Sequence, residues 1–209
     1  MRSNPTGLIP DQLLRDVKQG DRVLFLGADL PLDDAGAPLC RPELARALAE
    51  TYDLPRGSSW MQTADAYLTR YANDRNGLIR FVRDHSGLDA GPGRLHAAIA
   101  RAGFRAIVTA WYDEGLEQAL KAAGYRVHCV VRDKQLPYTE TGARDVVVIK
   151  LYGCLSDPES LALTAWDHAQ LLVRLSQKLK IVTAFCARRS SWASIWPMSC
   201  RSNSTRTLR

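Results

Sequence analysis

An α/β fold is what this sequence predicts, on three observations. Short apolar runs suited to strands alternate with amphipathic runs suited to helices, and the strand-like runs end in Gly, Thr or Asp. The run Val146–Leu151 is apolar on both faces until Lys150, as suits a central parallel strand covered from both sides. A mostly helical stretch separates the first strand-like run from the second. Together these specify a Rossmann-like, doubly wound parallel sheet with a helical insertion after the first strand.

Asp11 to Val17 predicts a short helix ended by Gly20, and Arg22 to Leu26 predicts a buried strand. That strand runs into Gly27-Ala28-Asp29-Leu30-Pro31. A glycine there lets backbone N–H groups approach a phosphate because no Cβ intervenes; a plain strand-to-loop glycine is the other reading. Neither a GxGxxG nor a Walker glycine-lysine pattern is present. Asp33 to Pro42 is a loop. Glu43–Tyr52, Trp60–Ala72, Asn76–Asp84 and Arg94–Ala102 then read as helices; His85 and His96 are expected to be helix-surface or part-buried side chains, a role in a site being the other reading.

The next strand, at 105–109, hands over through Thr109-Ala110-Trp111-Tyr112-Asp113 to a helix over Glu114–Ala123. Ligands of open α/β sheets bind just outside the carboxyl ends of strands, so this junction is where function is expected. Gly124 acts as a helix C-cap before a strand at Arg126–Val131, and Arg132–Arg144 is a polar loop. The central strand Val146–Leu151 ends at Tyr152-Gly153-Cys154. Ser160–Thr164 reads as a short strand, and Ala165–Leu179 as a helix capped by Thr164; Asp167 and His168 are expected in its solvated first turn, with acid–base work as the other reading. Lys180–Cys186 is the last strand expected.

Composition narrows the function classes. With 46% apolar and 24% charged residues the 209-residue chain has ordinary globular usage. No apolar run approaches a membrane span, and the five cysteines are scattered without a CxxC spacing. A reduced, cytoplasmic setting is therefore expected, with no metal, no membrane and no specific nucleic-acid partner. The net charge of +6 is misleading, because residues 187–209 hold five arginines and no acid and leave the rest almost neutral. From Ala187 the sequence also loses both periodicities and gathers six serines and two tryptophans. It reads as an anomalous tail outside the domain at 1–186, of the kind left by a reading-frame slip near residue 190.

Three stretches, taken in order, resemble one family. Leu24-Phe25-Leu26-Gly27-Ala28-Asp29 with Ala35-Gly36-Ala37-Pro38 and Glu43-Leu44-Ala45 is similar to the sirtuin glycine-alanine-glycine loop and its following helix. Ile107-Val108-Thr109-Ala110-Trp111-Tyr112-Asp113 resembles the T-x-N-x-D segment of bacterial sirtuin-like domains. Val148-Ile149-Lys150-Leu151-Tyr152-Gly153, then Ser156-Asp157-Pro158, resembles their K-L-H-G segment. The resemblance implies an NAD-binding Rossmann domain. Many bacterial members cleave NAD to nicotinamide and ADP-ribose in antiphage defence, often as the N-terminal module of a longer protein. A C-terminal partner domain and an oligomer are both compatible with it.

The resemblance assigns Gly27, Ala28, Asp29, Thr109, Tyr112, Asp113 and Gly153 to cofactor binding, and Trp111, Tyr152 and Asp113 to the catalytic positions. Trp111 stands where the family has Asn, and Tyr152 where it has His. A histidine is a useful base near pH 7, whereas an ordinary tyrosine is only about one part in a thousand ionised there. An amide both accepts and donates hydrogen bonds, and an indole only donates. Asp29 replaces a glycine and brings negative charge toward a pyrophosphate, which Arg41 or another cation has to offset. The residues themselves leave roles open. Asp113 can accept from ribose hydroxyls or cap the following helix; Trp111 can stack on a ligand ring or fill the core. Lys150 can pair with phosphate or snorkel from the sheet end, and Glu117 reads as a helix-face charge. The expected function is thus a nucleotide-binding module of NAD or ADP-ribose type with little or no turnover, and the alternative is an NAD hydrolase.

Overall fold

The computed structural model describes residues 10–20, 22–27, 41–55, 59–85, 91–132, 142 and 144–171. Ala28 and Asp29, the loop up to Cys40, most of the 132–144 loop, the strand expected at 180–186 and the tail at 187–209 lie outside the described residues.

Four strands form one parallel sheet in the order β1-β2-β4-β3, with β1 at Val23–Leu26, β2 at Ala106–Thr109, β3 at Arg126–Val130 and β4 at Asp145–Lys150. All three pairings are parallel, and the register sets Leu26 beside Thr109 and Thr109 beside Lys150. Every residue of β2 and β4 is buried, the double-sided burial that their apolar sequences demand. The α/β, Rossmann-like expectation is met.

Helix α1, at Asp11–Gln19, ends on left-handed Gly20 and leads into β1. Three helices follow, α2 at Arg41–Thr51, α3 at Trp60–Arg70 and α4 at Arg75–Asp84. Local chemistry sets two of their starts. The Ser59 hydroxyl accepts the Gln62 N–H of α3, and the Asp74 carboxylate accepts the Gly77 N–H of α4. Their inner faces, including Leu48, Ala64, Leu78 and Val82, share one core with Tyr112, Leu155, Leu161 and Leu163, so the helical insertion packs on the segments that leave the carboxyl ends of β2 and β4. Helices α5, at Arg94–Ala102, and α6, at Gly115–Ala122, cover one sheet face through Ile99, Leu116 and Leu120 against Ile107, Val146 and Val148.

Three expectations need correction. Ser160–Thr164 is not a strand; a 3-10 turn occupies Pro158–Ser160, and the chain then tracks back with a single backbone bond from Ala162 N–H to the Tyr152 carbonyl. Asp167 is part-buried and engaged rather than freely solvated. Its carboxylate accepts the N–H groups of Leu163 (2.9 Å) and Thr164 (3.1 Å) and pairs with Arg75 at 2.8 Å, while the Thr164 hydroxyl caps the Asp167 N–H as expected. His96 is only 1% exposed, because α5 turns it inward against Trp111 and Asp113 rather than toward solvent.

Candidate functional site

The carboxyl ends of β1, β2 and β4 are level, and the chain leaving each is stitched to its neighbours. Ala110 N–H bonds the Leu26 carbonyl at 3.0 Å, and Leu151 N–H bonds the Thr109 carbonyl at 2.8 Å. Beyond the sheet, Leu155 N–H reaches the Tyr112 carbonyl (3.0 Å), and the Tyr112 hydroxyl donates to the Ala162 carbonyl (2.9 Å). Burial pushes the Tyr112 phenol above its ordinary pKa, so it remains a donor. Thr109, 1% exposed, turns the chain by accepting the Trp111 N–H on its hydroxyl at 3.1 Å.

Below this edge lies a buried polar layer. The Asp113 carboxylate accepts the Gly115 N–H at 2.8 Å and faces His96 Nε2 at 3.7 Å. The Gly93 N–H donates to His96 Nδ1 (3.1 Å), which leaves the ring proton on the nitrogen that faces Asp113. The Trp111 ring stands edge-on to His96, with centroids 5.1 Å apart, and joins the core of Ile107 and Leu116. A Cβ on Gly115 would lie 2.7 Å from the His96 ring, so this position requires glycine.

Lys150 is fully buried. Its ammonium pairs with Glu117 at 2.9 Å and donates to the Asp113 carbonyl, tying β4 to the start of α6. Burial is the largest single influence and pushes its pKa down, but Glu117, Cys154 and Asp113 together outweigh it and the net shift is upward. Glu117 is likewise buried rather than a helix-face charge. Burial, then Glu117, drives the adjacent Cys129 thiol up to about 12, so it stays protonated.

The accessible part of the site is an aromatic and cationic cluster. Tyr152, half-buried, stacks on His168 with centroids 4.6 Å apart, and the Arg41 guanidinium lies 4.0 Å from the centre of the Tyr152 ring. The same guanidinium is 5.3 Å from the Tyr112 ring. Arg41 is the first residue of α2, where the chain returns after leaving β1. Its Nε and Nη2 are buried and have no hydrogen-bond partner among the described residues; neither has His168 Nε2. Burial, then the Arg41 charge, holds the His168 pKa below its ordinary value and favours the neutral imidazole. Among the described residues no group of three or more His, Cys, Asp or Glu side chains is placed to hold a metal.

Tyr152, Tyr112, Trp111, Asp113, Thr109 and Gly153 thus come to one edge, with Trp111 and Asp113 in its buried layer and Tyr152 at its surface. Gly27 stands at the end of β1, and among the described residues nothing lies within 4 Å of where a Cβ would project. Gly153 has a positive φ of 90°, and a Cβ there would lie 2.7 Å from the Leu161 nitrogen; backbone packing accounts for this glycine. His168 was not a site expectation. Its signal was the spacing from Thr164, which puts it one residue past the Asp167 cap and back toward β4.

A family model described as SIR2-like domain matches residues 105–193, a stretch that takes in β2, α6, β3, β4, Tyr152 and His168. No curated protein matches the chain.

Proposed function

We propose, on the similarity of residues 105–193 to the SIR2-like domain, that this chain binds a nucleotide of NAD or ADP-ribose type at the carboxyl edge, as a sensor or regulatory module with weak or no turnover. The observation that carries this reading is Arg41. A buried guanidinium with two unpartnered nitrogens, flanked by two aromatic faces, is costly unless an anion completes it. Arg41 and the open approach over Gly27 are the groups that would hold a pyrophosphate, and Tyr152 offers its ring or hydroxyl to the rest of the ligand. NAD, when bound, supplies a glycosidic bond to nicotinamide that hydrolysis can break. Trp111 and Asp113, with their surroundings already satisfied by His96 and Gly115, act by shaping this edge.

The stacked Tyr152–His168 pair supports the alternative, an NAD hydrolase. A neutral imidazole beside the tyrosine that replaces the family histidine is able to accept a proton near pH 7. Calorimetric titration of ADP-ribose into the parent and into Arg41→Ala tests the binding reading. Losing two charge-assisted hydrogen bonds weakens affinity by at least about tenfold; equal affinity in the two proteins rejects it. Chromatography of NAD after incubation separates the two readings. Intact NAD is expected, whereas release of nicotinamide that falls in His168→Gln and in Asp113→Asn establishes hydrolysis.

A further inference from the structure

At the opposite, amino end of the sheet there is a second concave site. A cavity of about 460 Å³ lies among the C-terminal ends of α1, α5 and α6 and the residues that lead into β2, β3 and β4. Among the described residues its wall carries Lys18, Arg101, Arg105 and Arg144 and no acidic side chain. Lys18 and Arg101 sit in the last turns of α1 and α5, where a cation offsets the helix dipole. That explanation does not extend to Arg105 and Arg144, which precede strands. Lys18, Arg101 and Arg144 are exposed and make no ion pair among the described residues. Arg105 is held in place by Nη1, which donates to the Gly142 carbonyl at 3.1 Å and faces that of Asp145 at 3.5 Å.

Two carboxylates described at this end of the sheet, Asp145 and Asp16, are engaged elsewhere. Asp145 accepts the Gly142 N–H at 2.6 Å and faces Arg126 and His128, each at 3.5 Å, while Asp16 is tied to Arg22 and Gln12. Neither makes an ion pair with a cation of the cavity wall. Gly124 lines the cavity, with nothing among the described residues within 4 Å of its missing Cβ, and half-buried Tyr125 supplies an aromatic wall.

We infer that this cavity is a binding site for a compact polyphosphate-bearing small molecule, separate from the carboxyl edge. Guanidinium groups pair with phosphate oxygens in planar, two-point contacts, and three of them around one cavity match a chain of phosphates better than a single anion. The volume lies in the range of small-ligand pockets. Inorganic polyphosphate and a nucleoside polyphosphate share this chemistry, and Tyr125 is what would tell them apart by stacking on a base.

Calorimetry with inorganic tripolyphosphate and with ATP, at fixed moderate salt, tests the inference. The parent is expected to bind tripolyphosphate, and an Arg101→Ala, Arg144→Ala double variant at least about tenfold more weakly. Both side chains are exposed, so circular dichroism should show an unchanged fold. Arg41→Ala, at the other end of the sheet, should retain tripolyphosphate binding, which keeps this result distinct from that of the carboxyl edge. Tighter binding of ATP that reverts to the tripolyphosphate affinity in Tyr125→Ala identifies a nucleotide as the ligand; equal affinities identify phosphate alone. Absence of saturable binding by the parent, or equal affinity in the double variant, overturns the inference. So does tighter binding of a single-stranded oligonucleotide than of tripolyphosphate, which would make this face a nucleic-acid contact.

Discussion

At the scale of single residues, two side-chain identities carry much of the candidate site. Gly153 combines a positive φ with backbone packed where a side chain would begin. Gly153→Ala should lower stability by about 2–3 kcal/mol, seen as a fall in Tm, because both strain and overlap must be relieved; a variant as stable as the parent would show that the 3-10 turn yields freely. His168 has its folded-state pKa below 6.5, owing to burial and then to Arg41. The unfolded chain therefore takes up that proton more readily, so the associated stability is present above about pH 6.5 and is lost as pH falls below it. Thermal unfolding at pH 7.5 and 5.5 should show a drop in Tm on acidification that is smaller in His168→Gln. An identical drop in both proteins refutes the assignment. Sequence reading missed this histidine because its stacking on Tyr152 joins residues from separate elements, and neither 3.6-residue nor two-residue periodicity encodes such a meeting. Arg41 was visible only as a charge to offset Asp29, whereas its contact with Tyr112 and Tyr152 is tertiary.

At the scale of elements, Lys150 and Glu117 join β4 to α6 beneath the ligand edge. Such a pair is costly to desolvate, so its removal as a unit differs from its disruption. Lys150→Met leaves a buried carboxylate alone and should cost about 3–5 kcal/mol by denaturant unfolding, whereas adding Glu117→Leu should restore most of that loss. If the double variant is no more stable than the single one, the ammonium's bond to the Asp113 carbonyl is the dominant contact. The strands were legible because β2 and β4 are apolar on both faces, and the insertion's helices because their apolar positions recur at helical spacing. The segment at 160–164 was not. Its apolar run, Leu161-Ala162-Leu163, has the composition of a strand, but its partners are a tyrosine hydroxyl and one carbonyl rather than a ladder. A lysine ending an apolar strand likewise gives no sign in sequence of whether it surfaces or is met by a carboxylate inside.

At the scale of the whole molecule, the sheet divides the described residues into two chemically different ends. The carboxyl edge is aromatic around the Arg41 guanidinium, and the amino edge is open and lined by four cations. The net charge of the sequence concealed this, because it counts cations without locating them. The strand order has a separate consequence. β3 precedes β4 in the chain, yet β4 lies between β2 and β3, and no direct ladder joins those two. During synthesis the first three strands thus emerge with a slot between the second and third, each presenting unpaired backbone groups until residues 145–150 arrive. The fourth strand enters as a wedge rather than as an added rim, and its lysine enters with it. A ribosome paused before that point holds a chain whose central row is missing, a window in which chaperone engagement or mispairing with a neighbouring nascent chain competes with folding.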